Sequence, residues 1–316
     1  SENIAHSQAW FIDCDNICFN EREGTTHLYT PGYGAPEVVR SEQNVNCLTD
    51  SWSFAVMAFE LLTHQHPFKG LYVEDGEPEI VEKQAFEGQL PWVYDNNDDS
   101  NESVAGISLD MVSNKKMAEL FRRCFDEGKN NPLVRPSLSE WRTVLQQAVD
   151  QTLECQHCRH QFFYQPEDQI HQCPFCDGEA NPESFIVFEQ FIVTEQCKSE
   201  GEDDHIQYHP LNHTRILNIG ASLSFNSSPY GTELWSESEN QLTIEWQDNK
   251  LTLRPENSSR IKISKGNNNK EFEHACHIKL SERKKDKAYY LSAWNPNKID
   301  NEEHLKLVQS YRWRFV

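Results

Sequence analysis

Four cysteines constrain this 316-residue chain more than any other feature: Cys155-x-x-Cys158 and Cys173-x-x-Cys176, with fourteen residues between the pairs. Each C-x-x-C turn aims two thiols at one point. Two such turns complete a tetrahedron of bonds about 2.3 Å long around a zinc ion. Four thiolates fill that shell and leave no position for a reactive water, so the expected role is structural. The segment 151–182 is too short to bury a core of its own. Metal binding would therefore supply its folding free energy, on the order of 10–16 kcal/mol. Redox dithiols and idle cysteines are the alternatives. His157, His160 and His171 stand nearby, but with four sulfurs in place they read as surface groups or as supports for the ligands.

The chain carries 50 acidic and 29 basic residues, a formal net charge of −21. Such a surface repels phosphate backbones, so nucleic acid is not an expected partner. The longest apolar run, Phe54–Phe59, is far shorter than a bilayer span and is closed by Glu60, and no basic-then-apolar leader opens the sequence. No membrane partner is expected. Cys14, Cys18, Cys47, Cys124, Cys197 and Cys276 are scattered and read as buried thiols in a reducing compartment, which places the chain in the cytoplasm.

Three segments differ in pattern. Residues 1–150 read mostly helical. The stretch 50–63 is apolar on nearly every side and predicts a helix in a domain centre, ended by His66-Pro67. Met117, Leu120, Phe121, Cys124 and Phe125 form a helical stripe within 114–127, with Gly128 as the stop. Ser137-x-x-Glu140 has capping-box spacing and opens a further helix with Trp141, Val144, Leu145, Ala148 and Val149 inward. The polar run 94–103 predicts an exposed loop. Residues 151–182 hold the cysteine pairs. From about 183 the period becomes two, as in Leu242-Ile244-Trp246 and Leu251-Leu253, and predicts an antiparallel sandwich or barrel. His205, His209 and His213 have helical spacing, but Pro210 interrupts it and a polar loop is expected there.

Within the first segment, "FIDCD" (11–15), "TPGYGAPE" (30–37), "TDSWSFAVMAFELL" (49–62) and "VRPSLSEW" (134–141) resemble, in order, four motifs of protein kinases. The resemblance implies Asp13 as a magnesium ligand. It makes 30–37 the end of the activation segment, Asp50 a brace of the catalytic loop, and Glu37–Arg135 an ion pair. Physically, a carboxylate at a strand end can hold magnesium on nucleotide phosphates, and a buried Glu–Arg pair can pin a loop to a helical core. Taken singly, Asp13 could cap a turn, and Glu37 and Arg135 could sit in water. "SENI" (1–4) resembles the end of the catalytic loop, making Asn3 a second magnesium ligand. The catalytic Asp, five positions earlier, would then precede Ser1. The chain is thus expected to hold the larger kinase lobe without its catalytic Asp or nucleotide-gripping lobe, and to be inactive alone. Asp15 and Ala55 replace the usual glycines of two motifs. Thr25, Thr26 and Tyr29 are candidate phosphorylation sites or plain loop hydroxyls.

The run "LFRRCFDEGKNNPLVRPSLSEW" followed by a Cys-Pro-Phe-Cys knuckle resembles bacterial kinase-like proteins with a C-terminal zinc knuckle, some of them associated with tellurium-resistance and stress-response systems. The expected architecture is a multidomain α+β chain. It comprises a kinase-like C-lobe at 1–150, a zinc ribbon at 151–182 and a β-sandwich-like accessory domain at 183–316. In the intact protein the resemblance implies ATP, magnesium and protein substrates, with transfer of the γ-phosphoryl group to protein hydroxyls. The competing reading is a non-catalytic pseudokinase scaffold. The β segment is expected to dock protein partners. A forkhead-associated domain is one candidate for it, but "NSSR" (257–260) is too weak a signature.

Overall fold

The structure, a computed structural model, describes residues 29–75, 77–196, 205–226, 239–266, 268–282 and 288–316. Asn3, Asp13, Cys14, Asp15, Cys18, Thr25, Thr26 and Cys197 lie outside the described residues. The chain divides into two compact units, 1–145 and 146–316. Among the described residues no helix is long and apolar enough to cross a membrane.

Helices α1 (Pro36–Val39), α2 (Cys47–Thr63), α3 (Leu71–Asp75), α4 (Pro78–Phe86), α5 (Leu109–Val112), α6 (Lys115–Phe125) and α7 (Leu138–Asp150) follow in order. Helix α2 begins with a reciprocal cap. The Asn46 side chain accepts from the Leu48 and Thr49 amides, and Thr49 Oγ1 accepts from the Asn46 amide at 2.8 Å. It ends at Thr63, the end of the expected stretch, where His64 turns left-handed (φ 60°) ahead of His66-Pro67. Trp52, Ala55, Val56 and Phe59 are buried, but Met57 and Leu61 are exposed, Leu61 by 72%. The expectation of burial on nearly every side is corrected: α2 is amphipathic.

The α6 stripe is buried as the periodicity predicts, behind an Asn114 cap that accepts from the Met117 amide at 2.9 Å. Gly128 follows the helix end as expected, its amide donating to the Arg123 carbonyl at 3.1 Å, but it does not turn left-handed. The helix ends at Phe125, and Gly128 is required by crowding, since a Cβ there would lie 2.4 Å from the Cys124 carbonyl and 2.9 Å from the Arg135 side chain. The Ser137–Glu140 box forms, with Glu140 accepting from the Ser137 amide at 2.8 Å and Ser137 Oγ from the Glu140 amide at 3.2 Å. Trp141 and Ala148 are buried, but Val149 is exposed rather than inward. The loop 94–103 is exposed over 96–100, but Tyr94 packs against Phe59 and Trp92, and Asn101 is enclosed. That residue is buried and donates to the Phe68 and Pro91 carbonyls at 3.1 and 2.8 Å. The core of this unit is aromatic: Phe125 lies against Trp52, Phe59, Phe68 and Trp92, and Phe121 against Phe59 and Trp141.

In the second unit β1 (Thr152–Glu154) and β2 (Gln161–Phe163) form a hairpin. There follow β3 (Phe185–Gln196), β4 (His205–Asn218), β5 (Ser222–Asn226), β6 (Asn240–Gln247), β7 (Lys250–Pro255), β8 (Arg260–Lys265), β9 (Asn268–Phe272), β10 (Cys276–Lys279), β11 (Tyr289–Trp294), α8 (Glu302–Ser310) and β12 (Tyr311–Phe315). They make two antiparallel sheets, β4-β3-β12-β11-β8-β9 and β10-β7-β6-β5. Period two places Leu242, Ile244, Leu251 and Leu253 of the smaller sheet in one core with Ile186, Phe188, Leu217, Leu291 and Phe315 of the larger. The helical region, the four-Cys cluster and the antiparallel sheets thus follow one another as the sequence predicts.

The histidine run is a correction. Residues 205–213 belong to strand β4, not to a polar loop. β4 is an edge strand, where a proline costs no ladder bond on its outer side, and Pro210 faces Phe191 at a register shift between Glu189 and Phe191. Cys47 is exposed, against the expectation of burial. Cys124 and Cys276 are buried, and burial pushes their thiols up to about 12 and about 11.

Candidate functional site

Two constellations carry candidate chemistry, one in each unit. In the first unit, the turn 30–34 leads into α1, and Pro36 fixes the first helical residue. Glu37 follows in the first turn and is 3% exposed. Arg135, 98 residues later, meets it with both terminal nitrogens, Nη1 to Oε1 at 2.7 Å and Nη2 to Oε2 at 2.8 Å. Arg135 also donates from Nε to the Gly128 carbonyl at 2.8 Å and from Nη1 to the Leu48 carbonyl at 3.2 Å. Its guanidinium lies 5.0 Å from the centre of the Trp52 ring. A buried charge is tolerated only when paired and hydrogen-bonded, and here each partner meets that condition. The pair ties α1, the start of α2 and the turn after α6 into one body.

Upstream of Glu37, side chains that the sequence did not single out hold the same loop. Ser53 Oγ donates to the Tyr33 carbonyl at 2.7 Å, the Tyr33 hydroxyl donates to Glu60, and the His66 ring lies 2.9 Å from the Gly32 carbonyl through Nε2. The Glu60 carboxylate holds the Tyr33 phenol above its usual range, chiefly through that hydrogen bond. These contacts join residues 20–34 apart, so no local sequence signal marks them. Tyr29 is exposed at the loop's start. Asp50, in the first turn of α2, is exposed, and among the described residues its side chain makes no hydrogen bond. The catalytic-loop residues it is expected to brace, and the expected magnesium ligands Asn3 and Asp13, lie outside the described residues.

In the second unit the sulfurs of Cys155, Cys158, Cys173 and Cys176 all lie within 4.8 Å of one another. Two of their separations, Cys155–Cys176 and Cys158–Cys173, are 3.6 Å. Bonds of about 2.3 Å to a tetrahedral ion would set sulfur–sulfur edges near 3.8 Å, so the donor set fits zinc. The two halves are built alike. The amides of Arg159 and Asp177 donate back to the Cys155 and Cys173 carbonyls at 3.0 and 2.9 Å, while the Cys155 and Cys173 amides donate to the His160 and Gly178 carbonyls at 2.9 Å each. Arg159 and Asp177, one residue past each pair, both turn left-handed, at φ 65° and 57°. Gly178 is fixed by crowding, because a Cβ would lie 2.6 Å from the His157 ring and 3.3 Å from the Cys176 sulfur.

The thiols divide electrostatically. Burial works against ionisation of Cys155, but the amides of Cys158 and His157 hold it down at about 6. Burial raises Cys173. The Gly178 amide pulls Cys176 down, yet the Cys158 thiol and burial drive it up to about 12. Four thiolates cannot share this volume without a cation. His157 and His160 are exposed, with His160 stacked on Phe175 at 4.7 Å, and His171 packs on Tyr164 at 4.4 Å. None of the three is in the sulfur cluster.

Residues 16–148 match the family model described as protein kinase domain. A comparison with curated proteins finds no match for the chain.

Proposed function

We propose that residues 1–150 form the helical lobe of a bacterial protein Ser/Thr kinase that, in the intact polypeptide, transfers the γ-phosphoryl group of ATP to protein hydroxyls. The observation that carries this reading is the buried, two-pronged Glu37–Arg135 pair. It supports the motif alignment with a long-range contact that four isolated sequence matches would not require. In this reading the loop 30–37 is the end of the activation segment, held at the substrate side of the lobe. Asn3 and Asp13 would hold magnesium on the nucleotide phosphates, where the cation neutralises charge that develops during transfer. Asp50 would brace the catalytic loop from the first turn of α2. The four cysteines would hold one structural zinc in the ribbon 151–182, and residues 183–316 would be an accessory β domain that docks protein partners. A role in tellurium resistance or stress response rests on the run 120–141 and the knuckle alone.

A second reading, a non-catalytic scaffold, is favoured by Asp15 and Ala55 standing where the kinase motifs carry glycine. Phosphate incorporation from magnesium-ATP into a generic protein substrate separates the two, assayed with the intact polypeptide. Incorporation lost in Asp13→Asn supports transfer. Incorporation that Asp13→Asn leaves unchanged, or none at all, overturns it and leaves the scaffold.

A further inference from the structure

His66 occupies a site that leaves its chemistry no freedom. The residue is 8% exposed, with its ring edge-on to Phe86 at 5.3 Å and tilted against Phe68 at 6.3 Å. Nδ1 lies 3.1 Å from the Phe68 amide nitrogen, and a backbone amide can only donate, so Nδ1 must present its lone pair. Nε2 lies 2.9 Å from the Gly32 carbonyl oxygen, which can only accept, so Nε2 must carry the proton. Both partners dictate the same species, a neutral imidazole protonated at Nε2. A second proton would have to sit on Nδ1. It would face the Phe68 N–H head-on, and it would place a charge in a buried aromatic pocket.

The pocket does little to welcome that charge. Three charged groups face the ring: Glu60 from α2, Lys69 from the turn before α3 and Glu82 from α4. Glu60 already accepts from Tyr33 and Glu82 already pairs with Lys69. Burial lowers the affinity of His66 for a proton below the usual histidine range, and the Gly32 carbonyl and the two carboxylates only partly oppose it.

What the ring holds is the start of a loop that is anchored again at Tyr33, by Ser53 and Glu60, and at Glu37. At its far end Glu37 is buried and held by both terminal nitrogens of Arg135, at 2.7 and 2.8 Å. At its near end Gly32 sits at φ +88°, a backbone state that side-chain-bearing residues rarely adopt, and the imidazole reaches its carbonyl from 34 residues away. We propose that His66 is a positioning residue for the start of the loop 29–36, holding the Gly32 carbonyl while neutral; a second proton, on Nδ1, would oppose the Phe68 amide, drive the ring out of its pocket and so release that carbonyl, with the Glu37 end still docked. Acid would therefore free the start of the loop, up to Gly32, while Tyr33, held by Ser53 and Glu60, and the Glu37 end stay docked. The consequence for catalysis rests on the kinase reading: acceptor binding would weaken before the transfer step does. The latch itself does not depend on that reading.

The test uses the full chain and needs no enzymatic activity. Selective histidine labelling and long-range proton–nitrogen correlation should show His66 as the Nε2-protonated tautomer near neutral pH. Hydrogen exchange, corrected for the intrinsic effect of pH, should rise about tenfold in the peptide spanning 29–36 between about pH 7.5 and about pH 4.5, as one net hydrogen bond is lost. The peptide spanning α6 should not respond. In His66→Phe, which keeps an aromatic ring in the pocket, the loop should exchange fast at both pH values. An Nδ1-protonated or charged His66 near neutral pH would overturn the proposal even if the variant failed to fold. So would an equal pH response in the wild type and His66→Phe. Absence of phosphate transfer by the intact polypeptide, with this pH response intact, would instead count against the kinase reading alone.

Discussion

Arg135→Met removes one partner of a pair whose other member cannot escape to water. Glu37 is 3% exposed, so the variant strands a buried carboxylate, and breaking a buried pair in this way costs about 3–5 kcal/mol. The Gly128 and Leu48 carbonyls also lose a donor, at 2.8 and 3.2 Å, and Trp52 loses the cation over its face. Methionine recovers part of the stem packing, which keeps the total near the upper end of that range. A unit of this size shifts its melting temperature by roughly 3–4 °C per kcal/mol, so a fall of about 10–20 °C is expected. That is a large share of the roughly 5–15 kcal/mol such a unit possesses. The control is Arg159→Met: that side chain is 72% exposed and pairs with Glu154 at the surface, a contact worth about 0–1 kcal/mol. The far-ultraviolet helical signal during urea unfolding is the right assay, because among the described residues the helices other than α8 lie wholly or mostly within the first unit. The double variant Glu37→Met/Arg135→Met should be more stable than Arg135→Met alone, since it removes the stranded charge. Equal shifts for Arg135→Met and Arg159→Met, or a double variant weaker than both singles, would refute the reasoning.

Two further outcomes follow from particular groups. Purified chain should contain one zinc, and Cys173→Ser or chelation should raise hydrogen exchange in 151–182 and also in β3 around Phe185, because Leu153, Phe162, Phe185 and Ile216 share one cluster with the buried cysteines; metal analysis without zinc, or a response confined to the knuckles, counts against it. Asp126 is half-buried, and burial, with Asp95 nearby, raises its carboxyl to about 6. A raised folded pKa means stability present below the unfolded value of about 3.9 and lost as pH rises through about 6. Asp126→Asn should therefore stabilise the first unit by about 1 kcal/mol at neutral pH, after allowance for solvent screening, and by almost nothing near pH 4. A constant difference in melting temperature across that range would show that titration is not the cause.

The sequence made legible those features whose cause is local or strictly patterned. The Ser137–Glu140 box, the α6 stripe and the alternation through β6 and β7 were readable because each is fixed by near neighbours. The cysteine spacing was readable for a different reason, since four sulfurs at one point is a chemical demand that survives ignorance of the fold. Failures came where tertiary placement decides. Leu61 and Met57 add to an apolar count, yet they face water. Gly128 reads as a left-handed helix stop, but its need for a bare Cα comes from crowding by the Cys124 and Arg123 carbonyls and the Arg135 stem. The spacing of His205, His209 and His213 suits one face of a helix, yet residues four apart also share one face of a strand, and period alone cannot choose. Within β4, His213 meets Asp150 through Nε2 at 3.2 Å, a contact 63 residues distant in sequence. The contact of His66 with the Gly32 carbonyl was invisible for the same reason: nothing near a histidine in sequence tells which carbonyl it will find.

The ribbon illustrates how a metal demand and a sheet core become one folding problem. Each knuckle places a non-glycine residue left-handed, at Arg159 and Asp177, a conformation that costs on the order of 1–2 kcal/mol per residue. Each also gathers thiols whose negative forms repel. Neither cost is offset within 151–182, where the buried apolar groups are few: Leu153 and Phe162 with Cys155 and Cys173. The remaining support comes from β3 and β4. Phe185 and Ile216 complete the cluster, and the Asn218 side chain accepts from the Glu154 amide at 3.1 Å while donating to the Thr152 carbonyl at 3.0 Å. Asn218 thus satisfies backbone groups of β1 from the end of β4. A bound ion would hold the knuckles in the conformation against which Phe185 and Ile216 pack, and the packed sheet would in turn preorganise the knuckles for the ion. Metal affinity and the stability of this end of the larger sheet are then coupled, and each must fall when the other is weakened.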